Sequence, residues 1–71
     1  MENFPADAEA MNAIVNALGA LTYALVRHLP TYERAGFARD LASLALLAEQ
    51  QGRTADETLL LDLHQAAVSA A

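Results

Sequence analysis

The chain has 71 residues, enough for one domain, and by surface scaling a lone globule of this size hides only about 60% of the area its unfolded chain exposes. Nine acidic residues against four arginines, with no lysine and a net charge of -5, argue against nucleic acid as a partner, because phosphate neutralisation needs basic side chains. The absence of cysteine removes any disulfide framework or thiolate metal cage, and the 55% apolar content, mostly Ala and Leu, exceeds what so small a core can shelter. Self-association is the outlet this composition predicts.

Val and Ile number only four, Gly and Pro are few, and apolar residues recur at helical spacing. The expected fold class is all-α: a three-helix unit over about 5–29, 32–51 and 55–69 with short connecting turns, associating into a helical homodimer. Residues 1–71 form a single helical domain in this reading, with consecutive helices packed roughly antiparallel.

The first helix is expected to open at Pro5, whose fixed φ suits the first helical position, with Asp7 and Glu9 near the positive end of the helix dipole. Met11, Ile14, Leu18, Leu21 and Leu25 make a stripe at spacings of three and four, with Val15, Thr22 and Leu29 beside it. A second stripe of small residues, Ala10, Ala13, Ala17, Ala20 and Ala24, lets another backbone approach closely. Little is left for water, so this helix is expected in the middle of its neighbours. Arg27 and His28 complement the carbonyl end, Pro30 stops the helix, and Thr31 is the expected N-cap of the next.

In the second helix Phe37, Leu41, Leu44 and Ala48 define the inward centre, while Leu46 points out beside Arg39, Ala42 and Gln50. Gly52 supplies a left-handed stop, after which Thr54-Ala55-Asp56-Glu57 reads as a capping box for the third helix. That helix carries Leu59, Leu60, Leu61, Leu63, Ala67 and Val68 over a wide arc, which calls for cover on two sides.

Chemistry-bearing constellations are sparse. His28 sits at a helix end and His64 on an apolar stripe, and a zinc site would need three or four ligands, where Glu57 and His64 have no second histidine or cysteine near them. Ser43 and Ser69 lie inside helices, no Gly-rich phosphate cradle exists, and the acidic pair Asp56 and Glu57 is explained by capping. No enzyme activity, cofactor or metal is expected. Residues 10–26, "AMNAIVNALGALTYALV", carry no charge, but these 17 span about 25 Å, short of a hydrocarbon layer of roughly 30 Å, and include Asn12 and Asn16. Burial in a protein assembly is the reading preferred over membrane insertion.

What remains is a small acidic helical protein that works by contact. The expected self-interface draws on Leu18, Leu21, Leu25, Leu59, Leu61 and Val68. One other protein is expected to bind through Tyr23, Arg27, Tyr32, Arg39 and Leu46, since Tyr and Arg are frequent interface anchors. The role expected is a regulator, adaptor or inhibitor, with a purely structural homo-oligomeric subunit and a short membrane-associated helical protein as alternatives. The acidic start, Met1-Glu2-Asn3, lacks the basic run of a secretory signal, and the expected location is cytoplasmic.

Overall fold

A computed structural model describes residues 4–71, with side chains from Ala8 onward. It contains α1 (Phe4–His28), α2 (Thr31–Gln50) and α3 (Thr54–Ala70), each end within one residue of the range the sequence implies. The side chains of Pro5 and Asp7, expected in the first turn of α1, lie outside the described residues.

The corner between α1 and α2 is closed by Arg34. Its Nε donates to the Leu29 carbonyl at 3.1 Å and its Nη2 to the Arg27 carbonyl at 3.0 Å, so one guanidinium satisfies acceptors that the end of a helix leaves without partners. Pro30, and not Thr31, occupies the N-cap position of α2, and it makes no side-chain cap bond. The helix therefore begins one residue earlier than expected, and Glu33 N–H donates to the Pro30 carbonyl at 2.9 Å.

Gly52 behaves as its position suggests. With φ at +74°, it lets Arg53 N–H reach the Ala48 carbonyl at 2.9 Å while its own N–H reaches Glu49 at 3.1 Å, the paired bonds of a Schellman stop. The capping box is not formed. Arg53 takes the N-cap position, so Thr54 is already helical; its carbonyl accepts a bond from Thr58 Oγ1 at 3.0 Å, and Asp56 pairs with Arg53 at 3.4 Å. A hydroxyl can cap only from the residue before the helix, and the tight turn at Gly52 starts α3 too early for Thr54 to serve.

The helices do not pack in chain order. α3 lies between the other two, while α1 and α2 barely touch away from their shared corner. Val26 of α1 meets Ala67 and Ala70, and Met11 and Val15 share a groove with Leu59, so α1 and α3 run parallel. Ala38 near the start of α2 packs against the end of α3, which makes that pair antiparallel. The expectation that α1 sits centrally among its neighbours is overturned: α3 holds that place, and α1 forms one flank.

Close approach is set by small residues. The buried core comprises Val26, Ala38, Ala45, Ala48, Ala67 and Ala70, with Phe37 and Leu41 packed against its main cluster. Among the described residues Val26 is the largest side chain that is fully buried. The line that α1 turns inward is Val15, Leu18, Thr22, Val26 and Leu29, rotated about 60° from the Met11–Leu25 stripe that sequence favours. Met11, Ile14, Leu21 and Leu25 are instead 50–59% exposed. On α2 Ala48 is buried as expected, and Phe37 and Leu41 pack against the core cluster, but Leu44 is left half-exposed while Ala38 and Ala45 are buried. A slim alanine surface on α3 accepts Val and Ala at short distance, and longer side chains are turned to the outside.

Candidate interaction surfaces

The shape follows from this packing. Cα positions span 48 × 28 × 12 Å, and 12 Å is thinner than two stacked helices require, roughly 13–15 Å from their radii and spacing. The three helices thus form one layer, whereas domains ordinarily bury their apolar stripes between two. Accessible surface totals 4888 Å², against about 4,300 Å² expected for a compact chain of 7.6 kDa.

Exposed large apolar side chains are found on all three helices. On α3, Leu61 and Val68 lie seven residues apart on one outward strip and are 47% and 48% exposed. On α1, Leu21 and Leu25 are open, while Leu18 is half-buried; Leu59 of α3 is likewise half-buried, and it lines the groove toward α1. Four of the six residues expected at a self-interface therefore present substantial apolar area outward, and Leu18 and Leu59 are partly spent on packing within the chain.

The residues expected to bind a second protein fall into two groups. Tyr32, Arg39 and Leu46 recur every seven residues and share one outer strip of α2, with Tyr32 83% exposed and Leu46 54%. Tyr23 and Arg27 are one turn apart on α1, both exposed, and Arg27 Nη1 lies 3.5 Å from the Ala70 carbonyl, spanning the ends of the two parallel helices. These groups belong to opposite flanks of the layer, since α3 lies between α1 and α2.

His64 has a structural task. Its Nδ1 lies 2.8 Å from the Ala38 carbonyl, which can only accept, so Nδ1 carries the proton and the ring ties α3 to α2. His28 is exposed in the last turn of α1. Among the described residues no three His, Cys, Asp or Glu side chains gather as metal ligands. An open groove of about 430 Å³ lies between α1 and α3, with Met11, Val15 and Leu59 as its apolar lining and Asp56 and Asp62 as its carboxylates.

One finding bears on membranes. Ala8–His28 has the length and average apolarity of a spanning helix, and only 11% of its most apolar window is buried within the chain. Internal packing accounts for little of that apolarity. In comparisons with protein-family models, curated proteins and solved structures, nothing matches this chain.

Proposed function

We propose that this chain is a contact-driven helical module that self-associates and, in that form, binds a second protein as a regulator, adaptor or inhibitor. One observation carries the reading: many large apolar side chains stand half-exposed on a single helical layer, while its buried residues are alanines, Val26 and Thr22. A layer with two open faces gains most by acquiring a neighbour, and a second copy is always at hand. The Tyr32, Arg39 and Leu46 strip supplies the mix of aromatic, cationic and aliphatic area suited to a different partner.

The test is mass in solution at micromolar concentration. A dimer or larger species is the expected result, and a monomer overturns the proposal. Leu21→Asp and Leu61→Asp then locate the contact, because both positions are about half-exposed and a carboxylate there stays hydrated in the isolated chain. Loss of mass in either variant with helical content unchanged reports a broken interface and not unfolding.

A second reading rests on the exposed, charge-poor Ala8–His28 helix, which would lie in or across a bilayer. It predicts recovery of the intact chain from the membrane fraction on expression; recovery in the soluble fraction as a uniform oligomer removes it.

A further inference from the structure

Positions 10, 14, 17, 21, 24 and 28 advance along α1 by alternating steps of four and three, the spacing of a coiled-coil seam. All six residues, Ala10, Ile14, Ala17, Leu21, Ala24 and His28, are exposed, with Ile14 at 52% and Leu21 at 55%. The seam points well over 90° away from the line that α3 covers. Leu25 flanks it at 50% exposure, and no charged residue interrupts α1 between Glu9 and Arg27. From this face, and resting on the self-association proposed above, we infer that α1 pairs antiparallel with α1 of a second copy.

Three features select that occupant and that direction. The first is size. Small and large residues alternate along the seam, so an antiparallel pair sets Ile14 opposite the second copy's Ala24, Leu21 opposite its Ala17 and His28 opposite its Ala10. Every layer then holds one small and one large side chain. A parallel pair stacks Ala on Ala and Leu on Leu, alternating gaps with crowding, which close-packed interiors tolerate poorly.

Charge is the second. Glu9 marks one end of the seam and Arg27 with His28 the other, so reversing the second copy brings opposite charges together and opposes the two helix dipoles. Area is the third. Ile14, Leu21 and Leu25 remain 50–55% exposed, apolar area on this side of α1 that packing within the chain leaves for a neighbour.

The chain's lack of cysteine makes the register directly testable. Ile14→Cys, Ala24→Cys and the double variant are oxidised under native conditions and run on a non-reducing gel. The two positions lie about 15 Å apart on one helix, beyond disulfide reach, so the double variant cannot close within a chain and neither single variant meets itself in the antiparallel register. A covalent dimer from the double variant alone is the expected result. Efficient linking of both single variants shows a parallel pair and overturns the inference. Absence of linking in a protein that sediments as a dimer places the contact on another face, which overturns the inference while self-association stands; a monomeric wild type removes both. Unlinked double variant recovered with membranes makes lipid the occupant and also overturns it.

A size swap provides an independent reading. Ala17 is exposed, so Ala17→Leu leaves the single chain's fold intact yet crowds two layers of the seam, and self-association is expected to weaken at least about tenfold. Adding Leu21→Ala restores one small and one large residue to each layer and recovers most of the loss. Equal weakening by the swap and by Ala17→Leu alone counts against the proposed pairing of layers.

Discussion

Replacing Val26 with Ala removes two methyl groups from the largest fully buried side chain among the described residues, at the point where α1 meets Ala38, Ala67 and Ala70. At about 0.8 kcal/mol per buried carbon the transfer loss is about 1.6 kcal/mol, and the unfilled space raises the total to about 2–3 kcal/mol. A chain of this length is held by roughly 4–10 kcal/mol, so the substitution takes away a large share. The melting temperature should fall by roughly 8–24 °C. Leu25, its neighbour, is larger but half-exposed, and Leu25→Ala should cost about 1 kcal/mol or less in the isolated chain. Circular-dichroism melts at submicromolar concentration measure both, because dilution keeps the mass-action contribution of association small. A Val26→Ala melt within about 2 °C of wild type, or a greater loss for Leu25→Ala, refutes the packing described above.

Glycine substitutions should act in opposite directions at two sites. Gly36 is inside α2 with open space where a Cβ would go, so Gly36→Ala should raise stability by about 0.5–1 kcal/mol, whereas Gly52→Ala should lower it by about 1–2 kcal/mol because φ there is +74°; urea unfolding midpoints distinguish the two. Arg34→Met keeps the aliphatic stem but abandons the Arg27 and Leu29 carbonyls, an expected loss of about 1–2 kcal/mol. Arg34→Lys should recover less than half of that, since an ammonium cannot reproduce the fork geometry, and full recovery in a chemical denaturation series contradicts the two-bond arrangement.

Helix number and extent are legible in the sequence because their signals are local: Pro30 and Gly52 punctuate the chain, and the apolar spacing between them has a helical period. Which side of each helix turns inward is not. On α1 a large-residue stripe, an alanine stripe and the Val15–Val26 line all compete for burial, and the outcome depends on the fit to Ala67 and Ala70, far along the chain. Hydrophobicity ranks Leu21 and Leu25 above Thr22 and Val26, whereas shape selects the latter. Thr31 and Thr54 mislead for a related reason, since residues with suitable hydroxyls stand one place past the position where a cap must sit. Leu46, by contrast, can be placed outward from a helical wheel because its neighbours Arg39, Ala42 and Gln50 leave little ambiguity.

The parallel arrangement of α1 and α3 has a consequence for biosynthesis. Arg27 and Ala70, adjacent in space, are 43 positions apart along the chain, and α2, made in between, gives α1 almost no support. As the polypeptide leaves the ribosome, α1 must therefore wait until α3 has been translated before its intramolecular neighbour is complete. Under the pairing inferred above, the seam on the other side of α1 would be open throughout that interval, so association of two nascent copies would not have to await completion of either fold.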